Sequence, residues 1–206
     1  MIVTRNDHTP TLHPTATIAP SAQIIGNVSI GPHCYIDYNV VIASSGAPIV
    51  IADHVIVLAN SVIRSIGGVS RPAFPVHIGD NTLISPLCAL AGCQIGRNCY
   101  LATGVLIFQD AILGDAVRVG AGAIVHLKTE LPAGTHVGIR HIAAATEDGL
   151  VVSADLATAR AAIAQADFFQ TVFAEDGQDQ GELHSKVMIK LLQEVASWND
   201  TVSSAR

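Results

Sequence analysis

An aliphatic residue returns every sixth position along most of this chain, and few folds accept that period. One run is Leu12, Ile18, Ile24, Ile30, Ile36 and Ile42, and another is Ile51, Val57 and Ile63. Then come Ile78, Ile84 and Leu90, followed by Ile95, Leu101 and Ile107. The last run is Leu113, Val119, Val125, Leu131 and Val137. A helix repeats every 3.6 residues and a strand every 2, so neither alone explains a six. Short flat segments joined at corners do explain it, with three segments and about 18 residues in each turn of a solenoid. Each aliphatic anchor then points inward and stacks on the anchor one coil away, about 4.8 Å along the axis. Gly31, Gly79, Gly96, Gly114 and Gly120 follow anchors directly, where corners need a permissive backbone.

Composition agrees. Half of the 206 residues are hydrophobic, yet only 4% are aromatic. A narrow core of stacked Ile, Val and Leu has no room for large rings. The pattern therefore predicts a left-handed parallel β-helix of about seven coils over residues 12–145, an exception to the usual right-handed crossover. The spacing breaks between Ile63 and Ile78, so residues 64–76, which are turn-rich, should leave the coil as a loop. After Ala145 the repeat stops. Residues 153–198 read as a helical appendage: Ser153 caps a helix from Ala154 to Phe173, and a second runs from Glu182 to Trp198. The second helix has a stripe of Leu183, Val187, Leu191, Val195 and Trp198, with Glu182, Lys186, Lys190 and Glu194 on another face.

Charge narrows the partners. Lys and Arg number 11 against 17 Asp and Glu, a net charge of −6 with no basic cluster, which argues against nucleic acid. The most apolar stretch, Val40 to Ile66, is interrupted by Ser44, Ser45, Asp53, His54 and Asn60, so no membrane span is expected. Met1 to Asp7 has no apolar signal core, and a cytoplasmic protein is expected. The four cysteines, Cys34, Cys88, Cys93 and Cys99, form no CxxC and are expected to be buried free thiols.

The segments I-I-G-N-V-S-I-G (24–31), V-V-I-A-S-S-G-A-P-I-V-I-A-D-H-V (40–55) and I-G-D-N-T-L-I-S-P-L-C-A-L-A-G-C-Q-I-G (78–96) resemble the γ-class carbonic anhydrase family of hexapeptide-repeat proteins. So does Leu101-Ala102-Thr103-Gly104, and the likeness covers residues 12 to 142. It implies a homotrimer with a groove between protomers, where the family's three His hold a metal. The matching positions here are Arg64, Pro86 and Ala91. Arginine stays protonated and repels a cation. The family's supporting R-x-D pair reads Ala43 and Ser45, and its strand Gln reads Leu58. The resemblance thus implies the family's fold without its metal or its carbonic anhydrase activity.

Three kinds of function remain, the third a different lyase or hydrolase built in the same groove, for which no Ser-His-Asp or Cys-His arrangement can be argued from spacing. One is a non-catalytic scaffold or binding protein, with a small anionic ligand or a protein partner and no cofactor. Arg64 would be its fixed cation, and Leu58, Pro86 and Ala91 the apolar wall suited to a small carboxylate or an acyl end. The alternative is a CoA-dependent acyltransferase with an intersubunit site, taking acetyl-CoA or another acyl-CoA. Among nine His, His77 follows the loop and is the general base to test; His136 and His141, five apart, read as exposed exit-loop residues. Only three Lys, Lys128, Lys186 and Lys190, are present to meet phosphates.

Overall fold

The computed structural model describes residues 1–68, 71–177 and 179–203. Short parallel strands wind into a solenoid whose three faces are three sheets. The first face includes Gln23–Ile25, Val41–Ala43, Val62–Arg64, Ala89–Ala91, Leu106–Ile107 and Ile124–Val125. The second carries Val28–Ile30, Ile49–Ile51, Val76–Ile78 and Gln94–Ile95, and the third Tyr35–Ile36, Ile56–Val57, Leu83–Ile84 and Tyr100–Leu101. Parallel register aligns anchor on anchor: Ile42 pairs with Ile63, Ile63 with Leu90, and Leu90 with Ile107. All four are at most 2% exposed, so the period of six is a core period. This is the left-handed parallel β-helix that the repeat predicts.

The solenoid is slightly longer than the repeat. Ile2–Arg5 adds a rung to the first face, with Ile2 against Ile24. Antiparallel strands close both edges of that face: Asp200–Ser203 lies on Ile2–Arg5, and Gly149–Ser153 on Ile142–Thr146. These two antiparallel strands thereby become the edge strands of the ten-stranded sheet. All four cysteines are buried and unpaired. The Cys34, Cys88 and Cys99 thiols donate to the carbonyls of Ala52, Ala102 and Gly114 on the next coil.

Within the expected loop at 64–76, residues 66–68 and 71–74 form strands, and positions 69 and 70 lie outside the described residues. Arg64 still belongs to the coil; Ile66–Gly68 and Arg71–Phe74 then pair as an antiparallel hairpin that stands off the first face. Phe74 folds back onto the coil at Gly92, whose φ is +52°. A Cβ at Gly92 would fall on the Phe74 Cβ, so this contact needs glycine.

The helical appendage differs in three ways from expectation. Its first helix is split into α1, Leu156–Ile163, and α2, Phe168–Phe173. The cap of α1 is Asp155, which accepts from the Thr158 amide at 2.8 Å; Ser153 instead accepts from the Asp155 amide. Asp167 caps α2 in the same way and marks the break. In α3, Gln180–Ala196, Leu183 and Val187 are buried as expected, but Val195 is 51% exposed. Glu194 takes the inward position one residue earlier.

Candidate site on the first face

The outward residues of the first face form a column along the coils. Arg64 stands between Ala43 and Ala91, its partners on the adjacent strands. Two methyl side chains leave the guanidinium room. The hairpin and α3 wall this surface, enclosing a cavity of about 360 Å³. Val62, Ala91, Leu106 and Phe108 form its floor, with Ile66 of the hairpin and Leu191 of α3 along the sides. Its polar groups are Arg64, Arg71 and Gln109.

The two arginines differ electrostatically. Arg64 is exposed and makes no ion pair among the described residues. Arg71 is held in a fork by Glu194, with Nε 2.5 Å from Oε2 and Nη2 2.7 Å from Oε1. Both side chains are 7% exposed, so this pair is largely shielded from water. The Arg71 guanidinium also lies 5.7 Å from the centre of the Phe173 ring. A larger cavity of about 810 Å³, lined by Ser45, Pro48, Pro75 and Trp198, touches the other side of Glu194.

Deeper along the column, Gln109 is buried and its Oε1 lacks a hydrogen-bond partner among the described residues. On the next coil His126 packs against Phe108, ring centres 5.3 Å apart. Its Nδ1 is also unpartnered among the described residues. Burial holds the His126 imidazole below its ordinary pKa, because charging it would cost hydration.

The structure separates the sequence-predicted residues into three groups. Arg64 and Ala91 meet as neighbours on adjacent strands and share the cavity. Leu58 and Pro86 sit at the corner between the third and first faces, outside the cavity lining. There the Leu58 amide donates to Ile84, and the Pro86 carbonyl accepts from Gly104. His77 lies on the second face, exposed, between Val50 and Gln94. It therefore does not share a face with Arg64. His136 is exposed on a third-face strand; His141 is half-buried, its Nδ1 2.9 Å from the Ile139 carbonyl oxygen. Arg71, Phe108, Gln109 and Glu194 were not singled out from sequence. Arg71 falls in the segment expected to leave the coil as a loop, and Glu194 on a helix face other than the aliphatic stripe.

A metal of the kind the family implies does not fit these positions. A guanidinium, a pyrrolidine ring and a methyl group replace the imidazoles, and none is a zinc donor. Among the described residues, no cluster of three or more His, Cys, Asp or Glu could take over.

The known proteins similar to this chain carry different activities in their names. Residues 75–109 match the bacterial transferase hexapeptide family (six repeats). Gamma carbonic anhydrase 1, mitochondrial, of Arabidopsis thaliana is 27% identical over 164 residues, covering 78% of this chain and 60% of that protein. An acyl-[acyl-carrier-protein]–UDP-N-acetylglucosamine O-acyltransferase of Rickettsia canadensis is 35% identical over 113 residues, covering 54% of this chain and 36% of that one. The chain thus spans less than two thirds of either relative. A solved UDP-N-acetylglucosamine O-acyltransferase from Moraxella catarrhalis aligns over 91% of each chain at 16% identity, with a TM-score of 0.48. Among the described residues, no helix is long and apolar enough to cross a membrane.

Proposed function

Because this chain is a hexapeptide-repeat protein with γ-class carbonic anhydrase-like relatives, we propose that it keeps the family's trimeric framework and uses the old metal position to bind a small carboxylate. In this reading it is a scaffold or binding protein without carbonic anhydrase activity. The observation that carries the reading is Arg64: a guanidinium with no ion pair among the described residues, set on an apolar-walled cavity of about 360 Å³. A planar guanidinium pairs with a carboxylate through two parallel hydrogen bonds, and an apolar wall strengthens that pairing by excluding water. Val62, Leu106 and Phe108 then suit the alkyl end of the ligand. Exposed aliphatics on the coil faces support the trimer. Val50, Ile56 and Ile112, which lie outside the cavity, are each 36–39% exposed, and a neighbouring copy would bury them.

The test is thermal stability with a panel of small carboxylates and acetyl-CoA, on the protein and on Arg64→Ala. A ligand at 100 times its dissociation constant adds about 2.7 kcal/mol, which raises the midpoint by several degrees. The expected result is a rise with carboxylates that disappears in Arg64→Ala, in a protein whose mass by light scattering is that of a trimer. No rise with any carboxylate would overturn ligand binding at Arg64.

A second reading is an acyltransferase, supported by the similarity to the Rickettsia O-acyltransferase and by the exposed imidazole of His77. Stabilisation by acetyl-CoA, with turnover lost in His77→Ala and the trimer intact, would favour it over the first.

A further inference from the structure

We propose that Glu194 selects the charge of the ligand, restricting the Arg64 cavity to monocarboxylates. The inference rests on the carboxylate reading above and adds a charge count to it. Two guanidiniums line the cavity, Arg64 and Arg71. Two positive charges in one small cavity would ordinarily favour a dianion. Glu194 removes one of them. It grips Arg71 from behind through both carboxylate oxygens, with both side chains 7% exposed. Glu194 itself is absent from the cavity lining and touches the larger cavity on the far side.

The neighbouring charges do not change the count. Lys190 of α3 is paired with Glu175 at 2.5 Å and donates to the Phe173 carbonyl. Lys186 is paired with Glu182 at 2.9 Å. Asp110 follows Gln109 but is exposed and outside the lining. Among the described residues, the net charge presented to a ligand is that of Arg64 alone. One carboxylate meets it. A second carboxylate would meet an Arg71 whose fork is already occupied, within reach of the Glu194 charge.

Glu194 thus acts through Arg71, as a positioning residue rather than as a ligand contact. The ion pair also ties α3 to the hairpin, so a loss of affinity alone would not separate charge selection from wall structure. Two substitutions with opposite expected signs do. Glu194→Gln keeps the size of the side chain and leaves Arg71 unneutralised, giving the cavity a second effective positive charge. Arg71→Met keeps most of the volume and leaves Glu194 unopposed, cancelling Arg64.

The experiment is calorimetric titration of the full chain with butyrate and succinate, which have equal carbon counts. The unmodified protein is expected to prefer butyrate. In Glu194→Gln the ratio of affinities should move toward succinate by about tenfold, the effect of one added unit charge at this range in a partly screened site. In Arg71→Met, butyrate should weaken by a similar factor, with no gain for succinate. A merely structural ion pair would weaken both ligands in both variants and leave the ratio unchanged, which would overturn the inference while Arg64-dependent binding stood. If Glu194→Gln does not fold, an unweakened butyrate affinity in Arg71→Met overturns it equally. Binding of neither acid by the unmodified protein would instead remove the carboxylate reading on which the inference depends.

Discussion

Substituting Gly92 by alanine should loosen the hairpin that walls the cavity. Gly92 sits where the step from Leu90 to Ile95 shortens to five residues, and its φ of +52° is in the left-handed region. An alanine there carries a backbone cost of about 1–2 kcal/mol. Its Cβ would also fall on the Cβ of buried Phe74 and lie 3.1 Å from the Phe74 carbonyl oxygen. Backbone and Cβ atoms cannot rotate away, so the hairpin must shift, at an overpacking cost of about 1–3 kcal/mol. The sum is about 3 kcal/mol, or a fall in melting temperature of roughly 6–12 °C for a chain of this size. Gly134→Ala is the internal control. Its φ is +74°, and a Cβ there meets nothing within 4 Å, so only the backbone cost applies. The assay is thermal denaturation of both variants at one protein concentration, with Phe74→Ala and the Phe74→Ala/Gly92→Ala double variant completing a cycle. The double variant should cost less than the sum of the singles, because removing the ring lets the strand move back. If Gly92→Ala costs no more than Gly134→Ala, the hairpin is not seated on the coil at this contact.

Two further outcomes follow from burial. The Cys93 thiol is pushed up to about 12 by desolvation, so it holds no thiolate at neutral pH. A chromogenic disulfide reagent at pH 8 should label Cys93 only as fast as the protein unfolds, and rapid labelling of the folded chain would contradict that burial. His126 titrates below its ordinary value of 6.5 when folded, again through desolvation. Between its folded and unfolded pKa the unfolded chain binds more protons, so this group's contribution to stability falls as pH drops through that window. Urea midpoints measured from pH 7.5 downward should show this slope, and His126→Gln should lessen it; an unchanged slope would contradict the buried neutral imidazole.

The legible part of the fold is the part that repeats. Ile63 could be placed from sequence because Ile42 and Leu90 impose the same demand one coil either side, and each anchor supports the others. Ile2–Arg5 could not, because it is a single rung whose antiparallel partner, Asp200–Ser203, lies at the other end of the chain. The same reason explains the site. Arg64 and Ala91 are brought together by coil register, so the repeat alone made them neighbours. Arg71 finds Glu194 across 123 residues, through a hairpin and a helix with no shared period. In α3 the aliphatic stripe suggested Val195 as the inward residue. The helix instead turns by one position, because Glu194 has a buried cation to meet and Val195 does not. Leu58 and Pro86 matched the family pattern in sequence but occupy a corner rather than the cavity, a distinction that linear spacing does not carry.

The most direct test of the account is a crystal structure of the protein grown with butyrate. The expected structure is a trimer with the carboxylate paired to the Arg64 guanidinium, the alkyl chain against Leu106 and Phe108, and Arg71 still gripped by Glu194. Butyrate bound elsewhere, or an Arg64 side chain engaged by a neighbouring carboxylate in the assembled protein, would contradict it.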